Sequence, residues 1–297
     1  MNLRKYLPNT IIIKLQGGLG NQLFQYALGK NLVLSRGPIV KHDLSWFGEQ
    51  TKRKYELDNF NAKIDIATGE EIKKFKKYQK KTGKLSFLNF LFSIDDSIYK
   101  KEGGFNFDRK ILEIKPPAYL DGFWQSEKYF ANYKSAIRKD LEYRSLLSSE
   151  NEKLIRFLQN QIVVAIHIRR GDYITNKAAS EVLGTIDIQY YQDSIKFILD
   201  KVRDPVFMVF SDDISWVKQH LMFPTQSIFT DNECKDKDIQ DFILMSKCHH
   251  HIIANSSYSW WAAWLGCKPN QIVVAPKKWF RNGYSTHDLI LKDWVQL

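Results

Sequence analysis

Two adjacent guanidiniums at the end of an apolar run make the first candidate site. Ile162-Val163-Val164-Ala165-Ile166-His167-Ile168 leads directly into Arg169-Arg170-Gly171-Asp172-Tyr173. Paired arginines imply an anion, and phosphate matches the guanidinium fork. Neighbouring strand residues point to opposite faces, so Arg169 and Arg170 share one anion only if the chain has already turned, and Gly171 makes that turn plausible. The plainer reading of the same residues is a solvated Arg170–Asp172 ion pair above a core His167. Arg-Gly-Asp also invites a cell-adhesion reading, but three residues recur by chance and these directly follow a core strand.

Two further stretches have the composition of anion cradles. Gln16-Gly17-Gly18-Leu19-Gly20-Asn21-Gln22 sits between an apolar strand and a helix, where glycines admit an anion to the backbone and a helix start offers free N–H groups. The spacing fits neither the dinucleotide fingerprint, which needs glycine where Leu23 stands, nor the triphosphate loop. Asn255-Ser256-Ser257-Tyr258-Ser259 gathers hydroxyls and an amide at a second strand-to-helix junction. Ser211-Asp212-Asp213 ends a third strand and resembles the paired acids of metal-dependent sugar-nucleotide enzymes. The Arg-rich loop argues otherwise, because guanidiniums neutralise a diphosphate without a metal. Trp124-Gln125 follows another strand, and an aromatic face beside amide and carboxylate groups is how proteins hold sugar rings. Core packing is the equal alternative for Trp124. Cys248-His249-His250-His251 does not converge on a metal, since consecutive strand residues alternate faces and no second Cys pair lies at zinc spacing.

These residues need strands to aim them. Ile11–Leu15 reads as the first strand, Leu23–Leu32 as a helix, Pro38–Asp43 as the second strand and Ala118–Gln125 as a strand entering an aromatic loop. Tyr55-Glu56-Leu57 is a further strand candidate, and Tyr129–Gln159 has largely helical periodicity. After the central strand, Val206–Phe210, Ser227–Phe229, His250–Ala254 and Ile272–Ala275 alternate with helical patterns, which is the signature of a doubly wound parallel sheet. We expect two α/β domains, 1–160 carrying the glycine loop and the acceptor side, and 161–297 holding the donor. A cleft is expected between them.

Bulk properties narrow the class. The chain has 297 residues, and no run of eighteen apolar residues occurs in it, so no membrane-spanning helix is expected. Residues 1–10 lack the pattern of a secretory signal, and three scattered cysteines suit a reducing compartment, which together point to the cytoplasm. The net charge of +11 implies an acidic partner: nucleic acid, an anionic membrane or a phosphorylated small molecule. Much of the excess lies in Glu71–Lys84, a basic amphipathic segment with Ile72, Phe75 and Tyr78 at helical spacing. It reads either as a surface helix or as a peripheral contact with anionic lipid that Phe87–Phe92 would deepen. The lysines cluster away from the loops described above, which disfavours a nucleic-acid-binding role.

Three segments, Ile13–Gly29, Val164–Tyr173 and Asp241–Leu265, together resemble the motifs of the α1,2-fucosyltransferases, glycosyltransferase family eleven. Tyr55–Leu57, Trp124–Phe130 and Phe210–Asp213 fit as connecting pieces. The resemblance implies a GT-B type fold of two facing Rossmann-like domains. It implies fucosyl transfer from GDP-fucose to the 2-hydroxyl of a β-galactoside, with inversion and without a metal or other cofactor. It implies that Arg169 stabilises the departing diphosphate, helped by Asn21 from the loop of Gly17, Gly18 and Gly20. Arg170, His167, Ser211, Asn255, Ser256, Ser257 and Ser259 complete the donor pocket, with Asp212 reading guanine. The acceptor side falls to Asp43, Trp124 and Gln125. Asp172 is the expected proton acceptor, with His167, Asp43 and Glu181 as alternatives. Lys177 stands where the distantly related core fucosyltransferases place a glutamate base, so that role does not transfer. Cytoplasmic placement and the basic segment suggest surface-polysaccharide synthesis on a lipid-linked acceptor. A fucosyltransferase of different linkage or acceptor and a non-catalytic GDP-sugar-binding protein are the rival readings.

Overall fold

The computed structural model describes residues 3–50, 52–79, 97–144, 146–175, 177–231, 235–281 and 283–297. The side chains of Arg4, Asp172, Thr175, Ala178 and Ala179 lie outside the described set too, as do Phe87–Phe92 and the end of the basic segment. Two compact units divide the chain, residues 1–142 and 143–297. The boundary therefore falls about a helix earlier than residue 160. The cause is Gln240, whose Oε1 accepts from Ser148 N (2.9 Å) and Asn151 Nδ2 (2.8 Å) and ties the Ser149–Leu158 helix to the second unit.

The first unit is built on five strands: β1 Thr10–Lys14, β2 Ile39–Asp43, β3 Asp65–Ile66, β4 Tyr99–Lys101 and β5 Ala118–Asp121. They pair in parallel in the order β3-β2-β1-β5-β4. Ile11, Ile12 and Ile13 are buried on both faces of β1, as a central parallel strand requires. The Leu19–Arg36 helix packs beside it through Gly29, where a Cβ would stand 3.0 Å from Ile13 and 3.2 Å from Val40. The close-packing glycine thus comes later than the dinucleotide fingerprint places it.

Two expectations change here. Residues 55–57 do not form a strand but enter a 3-10 turn, Leu57–Asn59. In the basic segment, a Thr68/Glu71 capping box starts the Gly69–Lys76 helix, and Ile72 and Phe75 are buried against Ile12 and Tyr119. That apolar edge is core, so among the described residues of this helix the lysines are what a membrane would meet.

The second unit holds β6 Val163–Ile168, β7 Val206–Ser211, β8 Ser227–Phe229, β9 His250–Ile252, β10 Val273–Ala275 and β11 Val295–Gln296. All pair in parallel in the order β11-β10-β9-β6-β7-β8. Counted from β6, this is the Rossmann order, with the direction in which successive strands are added reversing between β6 and β9. Val164, Ile166 and Ile168 face one core, packed by Tyr190, Tyr191, Ile195 and Ile198 of the Ile188–Leu199 helix. His167 therefore faces the other side of the sheet. The Ser257–Gly266 helix is apolar nearly all round and buried, with Trp260 Nε1 donating to Leu289 O at 2.8 Å. Among the described residues no helix is long and apolar enough to cross a membrane.

Candidate active site

The crevice outside the carboxyl ends of β6 and β9 is where an open sheet of this order binds ligands. Past Ile168 the chain turns around one carboxylate. Asp212, next after Ser211 of the neighbouring strand β7, accepts from Arg170 N and Gly171 N at 2.9 Å each. The same carboxylate takes Arg169 Nη1 at 3.1 Å. Gly171 is required there, because a Cβ would lie 2.6 Å from Asp212 Oδ2. Arg170 goes elsewhere. Its guanidinium stacks 3.6 Å above the Trp216 ring centroid, with Nε 3.4 Å from Asp213 Oδ2. Asp213 also caps the Ile214–His220 helix through Trp216 N at 3.2 Å.

The two arginines are thus divided between two carboxylates rather than pooled on one anion. Arg169 keeps 24% of its side chain exposed and lies 5.9 Å from the Tyr173 ring centroid.

His167 is buried beneath this turn, its ring 5.4 Å from that of Tyr258 and its Nδ1 without a hydrogen-bond partner. Burial, and then the nearby charge of Arg169, push its pKa down to about 3. The imidazole is neutral at physiological pH and, so hard to protonate, a poor proton acceptor. Tyr173 links the two sides of the crevice, its hydroxyl donating to Asn255 O at 2.9 Å. Beyond β9, Ser256 caps the Ser257–Gly266 helix through its backbone without a side-chain capping bond, and Ser256 and Ser257 are half-buried.

In the first unit the glycine loop is held from beneath by two buried amides. Gln22 Nε2 donates to Gly17 O (3.1 Å) and Lys54 O (2.9 Å), while its Oε1 accepts from Glu56 N at 2.9 Å. Gln25 Oε1 accepts from Gln16 N (3.0 Å) and its Nε2 donates to Gly122 O (2.9 Å). Gly17 has φ +82, and a Cβ there would stand 2.5 Å from Asn21 Nδ2. Gly18 is the N-cap of an 18-residue helix and offers no side-chain cap. Gly20 is buried in the first turn of that helix. Asn21 Oδ1 accepts from Gln125 Nε2 at 2.7 Å.

The model of glycosyl transferase family 11 matches residues 10–297. This chain belongs to that family. It is 33% identical over 300 residues to the O-antigen biosynthesis glycosyltransferase WbnK of Escherichia coli, covering 95% of this chain and 99% of that protein. It is also 33% identical to an alpha-1,2-colitosyltransferase of Escherichia coli, covering 97% and 99%. Among solved structures it resembles an arginine-to-lysine variant of Arabidopsis thaliana FUT1 in complex with GDP. That match has a TM-score of 0.50 and 11% identity and covers 91% of this chain and 71% of the other, a likeness of fold. Two Rossmann-like units in one chain are the domain content of the GT-B class.

Several residues expected to touch substrate in this family 11 chain have their polar groups engaged within the protein. Asp212 has both oxygens engaged by the arginine turn and so orients Arg169. Arg170 is held by Trp216 and Asp213, and Ser211 Oγ accepts from Asp213 N at 3.0 Å to shape the same turn. Asn255 is fully buried, its Nδ2 3.1 Å from the carbonyls of Leu183, Gly184 and Trp279. Ser259 is also buried, donating to Ser256 O at 3.3 Å.

The expected acceptor residues are interior too. Asp43 is fully buried and accepts from Tyr119 Oη and Ser45 N. Trp124 is 1% exposed and packs edge-on against Tyr129 at 5.9 Å. Gln125 is buried against Asn21. His249 and His250 each use Nδ1 to accept a backbone N–H, from Val163 and Ile272, so they serve the sheet. The sequence reading missed Trp216, Gln22 and Gln25. The two glutamines carried one signal, a polar pair spaced three apart among the apolar residues of the first two turns of the Leu19–Arg36 helix. The side chain of Asp172 lies outside the described residues.

Proposed function

We propose that this chain transfers L-fucose from GDP-fucose to the 2-hydroxyl of a galactoside, inverting the anomeric carbon, during assembly of a bacterial surface polysaccharide. The observation that carries this reading is Arg169 held by the Asp212 carboxylate at the end of β6. As the glycosidic bond breaks, charge accumulates on the leaving diphosphate. A guanidinium already fixed in place acts chiefly on that transition state and needs no reorganisation. Neutral His167 donates from Nδ1 to a donor oxygen, satisfying a buried nitrogen that the protein leaves unpaired. Ser256, Ser257 and the start of their helix take the remaining phosphate oxygens. Asn21 adds an amide from the glycine loop, and Asp172 receives the acceptor proton. Guanidinium charge, with hydrogen bonds from the imidazole and the helix N–H groups, stabilises the diphosphate, so no metal is assigned.

The deciding test is product formation from GDP-fucose and lactose, with the linkage read by NMR. A linkage other than α1,2, or donor hydrolysis without transfer, would overturn it. Activity should survive EDTA; loss that manganese restores would refute the metal-free step. The colitosyltransferase relative favours a second reading in which GDP-colitose is the donor. Colitose lacks the 3-hydroxyl of fucose, and a site that hydrogen-bonds that hydroxyl discriminates strongly against its absence. A kcat/KM for GDP-colitose above that for GDP-fucose would establish the second reading. Lysines of the Gly69–Lys76 helix would hold the enzyme on the anionic inner face of the cytoplasmic membrane, near a lipid-linked acceptor. Flotation with anionic but not neutral vesicles checks this.

A further inference from the structure

Glu102 follows β4 and plays no part in the chemistry above. Its carboxylate is directed at the loop that follows β5. Oε2 accepts from Phe123 N at 2.6 Å and Oε1 from Trp124 N at 3.0 Å. Gly122 makes the approach possible: a Cβ there would stand 2.5 Å from Glu102 Cβ and 2.8 Å from both its Oε2 and Trp124 Cε2. The loop so gripped is unusual, with Trp124 in the left-handed region at φ +56 and Ser126 N donating back to Trp124 O at 2.8 Å. Its next residue, Gln125, holds Asn21, and its first, Gly122, accepts from Gln25, the residue that also fixes Gln16.

We propose that Glu102 is a positioning residue for the glycine loop, transmitting through the backbone of Phe123 and Trp124 to Gln125 and thence to the side chain of Asn21. The inference rests on the donor role proposed for Asn21, but its wiring can be tested without substrate. A left-handed tryptophan is strained, and two hydrogen bonds to one carboxylate hold it in that geometry. The bonding seen needs two acceptor oxygens. Burial, opposed by these two N–H bonds and reinforced by Asp121, raises the carboxyl to about 7. Asp121 is the charged group facing it from β5, and is itself bound by Lys14 of β1 and Tyr99 of β4. Protonation near neutrality therefore removes one of the two acceptors and slackens the loop.

The experiment is deuterium uptake of the full-length protein, compared between wild type and Glu102→Gln over segments 17–22 and 122–126. The expected result is faster exchange in both segments, with the melting temperature of the rest of the chain retained. Unchanged exchange at 17–22 overturns the proposal, whatever the activity. If Glu102→Gln does not fold, Gln125→Leu cuts the same path one link later. It should loosen 17–22 while leaving Phe123 and Trp124 protected, and failure to do so again overturns the proposal. Kinetics then supply the functional arm: Glu102→Gln should lose roughly 10- to 100-fold in kcat with little change in donor KM. The acid limb of the wild-type kcat profile near pH 7 should vanish in this variant. The double variant with Asn21→Ala should be no slower than Asn21→Ala alone, and multiplicative losses would show that Glu102 acts by another route. An active Asn21→Ala enzyme refutes the donor role of Asn21 and leaves the exchange result standing.

Discussion

Asp212 shows how much one carboxylate can decide. It binds two consecutive backbone N–H groups and a guanidinium, so it sets both the path of the turn and the aim of Arg169. Arg169 and Arg170 are adjacent and chemically identical, yet they should fail in different assays. Arg169→Ala should lose most of its turnover while retaining donor KM within a few-fold, since the lost contact belongs to the transition state. Asp212→Asn should approach the same defect. The double variant should add little, because the two residues act as a unit. Arg170→Lys should instead lower stability by about 1 kcal/mol through the lost Trp216 stack, with kcat near that of wild type. Steady-state kinetics and thermal melts on the four variants separate these outcomes. A kcat collapse in Arg170→Lys would return that residue to the catalytic machinery. The sequence showed that an anion-binding turn ends the strand. It could not show the division of the arginines, because both carboxylates arrive about forty residues later, in the turn between β7 and the Ile214–His220 helix.

At the level of elements, what could be read from the sequence was what is periodic, and what escaped was what is distant. β6 announces itself by six consecutive buried residues, and the glycine loop by its place between β1 and a helix. Trp124 beside Gln125 looked like a sugar platform because local sequence gives an exposed aromatic and a buried one the same letter. The strand partners and Tyr129 that enclose it are fixed only by the fold.

Asn255 follows the same rule: an amide before three hydroxyls suits an anion pocket, but the carbonyls that hold its Nδ2 belong to Leu183, Gly184 and Trp279. Removing it leaves several buried carbonyls unsatisfied at once. Asn255→Ala should therefore cost on the order of 3 kcal/mol in denaturant unfolding, and Asn255→Asp at least as much, since a carboxylate cannot donate to those oxygens. A loss below about 1 kcal/mol would show that the residue does not hold the loop after β9.

For the whole molecule, buried titratable groups are distributed unequally between the two units, and this sets how each responds to acid. In the second unit His167 is held down to about 3 and His251 to about 4, both by burial, and His249 and His250 are lowered as well. Unfolding returns each imidazole to its ordinary range near 6.5, so below that pH the unfolded chain binds more protons and stability falls as pH falls. Only Asp241 opposes them there among the groups with a shift: burial raises it to about 6, so the folded state holds its proton.

Among the described residues of the first unit one lowered histidine, His42 at about 4, stands against one raised carboxyl, Glu102 at about 7, while Glu71, lowered in spite of burial by Lys41 and Thr68, adds to the acid loss only at the bottom of the window below. Between about pH 6 and 4.5 the two nearly cancel, since His42 binds its proton on unfolding while Glu102 releases one. The second unit should therefore lose stability across that window at no less than about 1.4 kcal/mol per pH unit, the slope of one net proton, while the first unit stays nearly level. Hydrogen exchange followed segment by segment from pH 6.5 to 4.5 resolves the two. Glu102→Gln removes the opposing proton, so the first unit should acquire the acid slope that its wild-type form lacks. Parallel acid sensitivity of both units in the wild type, or an unchanged first unit in the variant, would contradict this assignment of the buried charges.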